Sequence, residues 1–224
     1  MPGRLGQYGK HACRNLRTYW RRLVRNHTRA SPRFDKRIGQ YAYLNPGLGI
    51  SGGNLERDLA TVLRYAEKYK TDGGVVESWV NNSRYRKDWA WHTFTKLGLD
   101  KKPSEKITVL GLTYKENTHS LKNSPSLFFL SHLTDREVAA FDPAAAPESV
   151  PSHVRCAANA LEALKGCDVL AVMTPWPEFR SITPEIIIQN MAGKIVIDPY
   201  RMLDGTALKA QGFIYATLGV PIQE

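Results

Sequence analysis

Two spacings of apolar residues divide the 224-residue chain. Between residues 55 and 97 they recur at steps of three and four. Leu55, Leu59, Val62, Leu63 and Ala66 open the series, and Thr71-Asp72-Gly73-Gly74 interrupts it. A second run from about Val75 to Leu97 stops at Gly98. Such steps keep apolar side chains on one face of a 3.6-residue turn, so the spacing predicts two helices. The charged segment 98–106, with Pro103, reads as a linker. Beyond it, apolar residues come in short continuous blocks. KITVLGL (106–112), EVAAFDP (137–143), DVLAVMT (168–174) and KIVIDP (194–199) read as buried strands, with FIYATL (213–218) a candidate fifth. Between them SPSLFFLSHL (124–133), ANALEALKG (158–166), TPEIIIQNM (183–191) and LDGTALKAQG (203–212) read as helices, two of them opened by Ser124-Pro125 and Thr183-Pro184. Strands alternating with helices imply right-handed crossovers and a parallel α/β sheet. Ligands on such sheets bind beyond the carboxyl ends of the strands, which directs attention to 114–117, 142–143, 174–179 and 198–201.

Charge changes the picture only at one end. The net charge of +10 suggests nucleic acid or an anionic surface, but residues 1–35 hold nine Lys/Arg and one acid. Residues 36–224 then carry 22 basic and 20 acidic residues of the totals of 31 and 21, nearly balanced. The basic character belongs to a tail, read first as solvated or disordered, with nucleic-acid binding as the alternative. A short helix around Leu16–Val24 is compatible with its pattern. No apolar block approaches the ~18 residues a membrane span needs, and no signal peptide is legible at the N-terminus. Cys13, Cys156 and Cys167 stand far apart, forming neither a metal-type pair nor a disulfide framework, which fits a reducing cytoplasm.

The glycine-rich stretch NPGLGISGGN (45–54) contains GLGISG (47–52), a literal G-x-G-x-x-G. A dinucleotide fingerprint must follow a strand inside a βαβ unit. Here Asn45-Pro46 precedes the glycines and two helices follow them, so the stretch reads instead as a loop whose backbone approaches a ligand closely, or as a turn capped by Ser51 or Asn54.

KRIGQYAYLNPGLGISGGNLERDLATVL (36–63) resembles the segment RIG…PGxGFGGSCxxKDxxxL of the UDP-glucose/GDP-mannose (nucleotide-sugar 6-) dehydrogenase family. KITVLGLTYKENTHSLKNSPSL (106–127) resembles that family's LGLAFKxxTxDxRxSPxL, and FDP (141–143), ALKGCDVLAVMTPWPEF (163–179) and IDPYRMLD (197–204) continue in order. The resemblance covers about residues 36–218. It implies a Rossmann-like, UDP-sugar-binding domain at 104–218, preceded by a partial helical dimerisation region at 36–98 and the tail at 1–35. No counterpart of the family's NAD domain is recognised. The resemblance starts abruptly near Asp35-Lys36, and a truncated or frameshifted reading frame is one explanation.

The family oxidises a sugar nucleotide twice with NAD, through a thioester on a cysteine. The resemblance puts Asn54 at the cysteine position and Asp58 at an acid/base aspartate, with Arg57 replacing a lysine. It implies that Gly49, Gly52, Gly53, Tyr114, Lys115 and Arg201 meet the substrate, and that Arg37 reaches a neighbouring subunit's substrate. Lys122 stands for a family arginine on the cofactor side, and Ser120 for an aspartate. Plainer readings stand beside these: Asn54 as an N-cap, Asp58 as a charge favoured near a helix N-terminus, Lys115 as solvated, and Arg201 as a partner of Asp198 or Asp204. Trp79, Trp89, Trp91 and Phe94, at helical spacing, read as core or subunit interface. The expectation is a cytoplasmic protein that retains sugar-nucleotide binding and binds no NAD by itself. It would act as a homodimer or pair with a full-length homologue. A non-catalytic regulatory module and nucleic-acid binding through the tail are the alternatives.

Overall fold

The computed structural model describes residues 47–222. Arg37, Cys13, the basic tail and the helix around 16–24 lie outside the described residues. Helices α1 (Asn54–Tyr69) and α2 (Gly74–Lys87) are joined by 70–73, and α3 (Trp89–Lys96) follows at once. The single helix expected from 75 to 97 is therefore two, because the ladder loosens at Asp88, whose amide reaches Arg84 O only at 3.4 Å. A 3₁₀ turn (Leu99–Lys101) leads into the sheet.

The sheet has strands β1 (Ile107–Leu110), β2 (Val138–Phe141), β3 (Val154–Cys156), β4 (Val169–Val172), β5 (Ile195–Ile197) and β6 (Ile214–Ala216). Their order is β3-β2-β1-β4-β5-β6 and every pairing is parallel. β1 and β4 are buried at every residue, as strands covered on both faces must be, and this explains their unbroken apolar sequence. Ile107 pairs with Val138 on one side and Val169 on the other, so β1 is the centre from which the chain winds both ways. Between the strands run α4 (Pro125–Ser131), α5 (Ala160–Leu164), α6 (Pro184–Asn190) and α7 (Gly205–Ala210). Ser124, Asn159, Thr183 and Asp204 cap them, each accepting from an amide two or three residues on.

One face of the sheet packs Val109, Phe129 and Leu130 together with Leu48, Ala90, Phe94 and Leu99 from the helical segment. The other packs Leu170, Leu164, Phe179, Ile187 and Leu208. Each such fully buried side chain contributes roughly 1.5–3 kcal/mol of apolar transfer. Arg136 fixes the linker at this junction. Its buried guanidinium donates to Leu99 O at 2.9 Å, Lys102 O at 2.7 Å and Asp100 O at 2.8 Å, satisfying carbonyls at the end of the 3₁₀ turn. Trp89 and Trp91 pack against the first core and Phe94 lies inside it, but Trp79 is 56% exposed.

Candidate functional site

The reversal of strand order lies between β1 and β4, so the crevice beyond their carboxyl ends is the expected ligand position. Here it is closed by a side chain. The Trp176 indole N–H donates to Thr113 Oγ1 at 3.2 Å and to Asp142 Oδ2 at 3.1 Å. The same Asp142 Oδ2 accepts from Leu112 N at 2.6 Å, Thr113 N at 2.9 Å and Thr113 Oγ1 at 3.0 Å, and Oδ1 from Ala144 N and Ala145 N at 2.9 Å. Burial pushes the Asp142 carboxyl up, but the converging amides and the indole outweigh it and hold it below its ordinary value. An acid at the end of the second strand is where a dinucleotide's ribose would be held. In this chain that carboxylate is occupied by internal donors. In the loop after β1, residues 111–124, Gly111 turns at φ +88°, but the next helix begins only at Pro125, so the turn does not bring a helix N-terminus directly onto a pyrophosphate. The described residues therefore do not fit a dinucleotide at the switch point.

The polar surface lies instead where the glycine loop, residues 47–53, meets the loop after β1. Gly52 N donates to Lys122 O at 3.2 Å. At φ +86°, Gly52 lies under the Tyr114 ring so closely that a Cβ there would come within 3.0 Å of it. A Cβ on Gly53 would meet the Lys122 chain, with Nζ at 3.0 Å. The absent Cβ atoms thus admit the protein's own Tyr114 and Lys122 side chains against the loop backbone. Glu56, in the first turn of α1, accepts from both Asn123 Nδ2 and Lys87 Nζ, tying the same loop to α1 and α2. Lys115 is exposed, its Nζ 5.7 Å from the Tyr114 ring centroid.

The other sequence-predicted residues are dispersed around this contact. Asn54 is exposed as the first residue of α1, and the N-cap is Gly53 without a side-chain bond, so neither Asn54 nor Ser51 caps the helix. Asp58 is exposed one turn later and pairs loosely with Arg57 at 3.4 Å. Gly49, at φ +90°, is held against Ser83. Arg201 follows β5, separated from β1 by β4, and adopts φ +56°, a left-handed conformation uncommon for a side chain of its size. Its Nη2 donates to Leu218 O at 3.2 Å rather than to Asp198 or Asp204.

Two further residues join these loops: Ser83, which the sequence did not single out, and Tyr200, within the 198–201 stretch that it did. Ser83 of α2 exchanges hydrogen bonds with the Ile50 backbone. Tyr200, beside Arg201, packs against both cores. Burial pushes its hydroxyl up to about 12, opposed by the Leu48 backbone facing it and assisted by the carboxylates of Glu116 and Asp198. Of the cysteines described, Cys156 is exposed on edge strand β3. Cys167 is buried in the second core, where burial raises its thiol to about 11. Neither belongs to the glycine loop. No group of three or more His, Cys, Asp or Glu among the described residues is placed to hold a metal.

Residues 108–205 match the family model for the UDP-glucose/GDP-mannose dehydrogenase family, UDP binding domain. The chain is 29% identical over 195 residues to the UDP-glucose 6-dehydrogenase of Rickettsia prowazekii, covering 84% of this chain and 44% of that protein. It is 28% identical over 192 residues to the UDP-glucose 6-dehydrogenase of Rhizobium meliloti, with the same two coverages. Among solved structures, the UDP-D-ManNAc dehydrogenase of Pyrococcus horikoshii superposes with TM-score 0.64 at 29% identity, over 84% of this chain and 41% of that one. The GDP-mannose dehydrogenase of Pseudomonas aeruginosa, at 18% identity and TM-score 0.63, shares the fold over 82% of this chain and 43% of its own. The chain thus spans less than half the length of these relatives, matching their C-terminal, UDP-binding part. The family resemblance read from the motifs stands on these matches, as does the Rossmann-like fold.

Proposed function

We propose that this chain holds the nucleotide diphosphate of a UDP-sugar over the contact between the glycine loop and the loop after β1. The observation that carries the reading is Gly52, pressed beneath Tyr114 and bonded to Lys122 O inside the matched UDP-binding domain. Lys115 is exposed beside that ring and supplies a cation to the diphosphate; Arg201 supplies a second from the end of β5. Tyr114 orders the loop that carries Lys115. Gly49, Gly52 and Gly53 leave room for the sugar to approach the backbone, with Lys122 bordering it.

The described residues hold no thiol at the position of Asn54, and a carboxamide forms no thioester. Asp58, one helical turn on, is exposed and paired with Arg57, whereas the nearer Glu56 is engaged by Lys87 and Asn123. With the β1/β4 crevice filled by Trp176, these 224 residues on their own bind UDP-sugar without reducing NAD. The setting proposed for them is cytoplasmic sugar-nucleotide metabolism supplying surface polysaccharide, alongside a second polypeptide. Exposed apolar side chains on α1 and α2 support the partner: Leu55, Val62, Tyr65, Tyr69, Val75 and Trp79 are each about half exposed or more.

Calorimetric titration with UDP, UDP-glucose and NAD tests the reading. Binding of UDP and UDP-glucose is expected, with Lys115→Ala weakening UDP about tenfold, the equivalent of one charge-assisted contact. Binding of NAD comparable to UDP, or steady NADH formation from UDP-glucose, would overturn it. So would an unchanged isotherm for Lys115→Ala.

A further inference from the structure

The glycine loop departs from α1 in the direction of α2, and one side chain receives it. Ser83 lies in the third turn of α2, 9% exposed, with its hydroxyl aimed at Ile50. Ile50 N donates to Ser83 Oγ at 2.7 Å, and Ser83 Oγ donates back to Ile50 O at 3.2 Å. One hydroxyl thus satisfies both backbone groups of a loop residue that has no strand partner. The neighbouring Gly49 completes the seat. Its φ of +90° turns the chain onto the helix, and any Cβ would come within 2.5 Å of Ser83 O and 2.9 Å of Ser83 Oγ. Three residues further along is Gly52, under Tyr114. The segment between Ser83 and Tyr114 is thus pinned at both ends, once by a helix and once by the UDP-binding domain.

We infer that Ser83 is a positioning residue for the sugar half of the ligand. It sets the height of the glycine loop over the site while leaving the nucleotide half to the sheet edge. The inference rests on the proposed UDP-sugar site. The physical ground is the division of labour between elements. Tyr114, Lys115 and Arg201 belong to loops after β1 and β5 and are positioned by the sheet, whereas the loop that faces the sugar is held from α2. Loss of the hydroxyl leaves Ile50 N and O to find water, and the loop samples other heights; the sheet edge is unaffected.

Binding of UDP and of UDP-glucose to the parent, Ser83→Ala and Ser83→Thr is the test, with amide exchange at Ile50 and Val109 read in parallel. The parent is expected to bind UDP-glucose more tightly than UDP. Ser83→Ala is expected to weaken UDP-glucose roughly 5- to 10-fold, the effect of a hydrogen bond or two, with UDP within about twofold. Ser83→Thr, which keeps the hydroxyl, restores the difference. Exchange at Ile50 rises in the alanine variant while Val109, in the core of β1, stays protected; that pattern separates a loosened loop from a loosened fold. Equal weakening of UDP and UDP-glucose, or no weakening of either, overturns the assignment of Ser83 and leaves the nucleotide site standing. Unchanged protection at Ile50 overturns it as well. A parent that binds neither ligand removes the site itself, and this assignment with it.

Discussion

The same dipeptide closes two strands of the sheet, and its aspartate meets opposite fates. Asp142-Pro143 follows β2 and Asp198-Pro199 follows β5, and both carboxylates are buried, at 9% and 0% exposure. Burial alone raises both. At Asp142 the amides of Leu112, Thr113, Ala144 and Ala145 and the Trp176 indole reverse it, and the group is held below its ordinary value. At Asp198 burial prevails over Tyr200 N at 3.2 Å, Leu203 N at 2.9 Å and the Tyr215 hydroxyl at 2.7 Å, and the group is raised. Tyr215 is raised too, by burial and then by the Asp198 charge. The difference lies in what the neighbouring loops supply. At the switch point the loops after β1, β2 and β4 all converge on one carboxylate. At β5 only its own loop and one side chain of β6 do. A buried charge is stable where donors outnumber its lone pairs' need and costly where they do not.

Replacing each aspartate by its isosteric amide measures that difference. Asn presents an N–H₂ where one carboxylate oxygen accepted. At residue 142 either orientation sets that group against at least two donors, the part-buried Ala144 and Ala145 amides on one side or the buried Leu112 and Thr113 amides on the other. Asp142→Asn is expected to cost about 3 kcal/mol in urea unfolding at neutral pH. At residue 198 the amide N–H₂ can take the Oδ1 side, where it meets only Tyr200 N at 3.2 Å and leaves its oxygen to Leu203 N and the Tyr215 hydroxyl, and the substitution removes a charge that burial disfavours. Asp198→Asn is expected to cost about 1 kcal/mol or less. Equal losses at the two positions would show that donor number is not what separates them. A comparable effect follows from Tyr215→Phe, which removes a single donor from Asp198 and is expected to cost about 1 kcal/mol. It should also raise the Asp198 carboxyl further, seen in the carboxyl carbon shift by NMR titration.

Much of this was legible before the fold. The blocks that became β1, β2, β4 and β5 announced themselves as continuous apolar sequence because both faces of a parallel sheet are covered. Ser124 and Thr183 cap their helices as the Ser-Pro and Thr-Pro pairs predicted. Strand β3 was missed because only Val154 of its three residues is buried, leaving no apolar block to see. Apolar spacing in α1 predicted a helix but could not assign its faces. Leu59 and Ala66 are buried, whereas Leu55, Val62, Tyr65 and Tyr69, in the same three- and four-residue steps, are exposed. Trp79, read as core or subunit interface, is exposed, so it is not core. At the candidate site, Gly52, Tyr114 and Lys115 were legible because motifs carried them. Ser83 was not, since a serine inside a helix has no periodic signature and its partner, Ile50, is 33 residues away.

The smallest effect is the one with opposite signs. Asp142 is lowered in the folded state, so its contribution is fully present above the ordinary carboxylate value near ~3.9 and is lost as pH falls through its lower folded value. Asp198 is raised, so the folded state takes up its proton first. Its ionisation costs stability at neutral pH, and that cost is relieved as pH falls through its folded value toward ~3.9. The two therefore act in adjacent windows. Thermal unfolding of the parent and of each Asn variant, from neutral pH to about pH 3, separates them by difference. Relative to Asp198→Asn, the parent should gain stability as pH falls toward ~4. Relative to Asp142→Asn, it should hold its advantage to about the same pH and lose it below. Parallel pH profiles for the parent and Asp198→Asn would place that carboxyl at its ordinary value and reduce the two strand ends to one case. A rise confined to the comparison with Asp198→Asn would show that one dipeptide, on two strands of one sheet, carries a stabilising charge at one end and a tolerated one at the other.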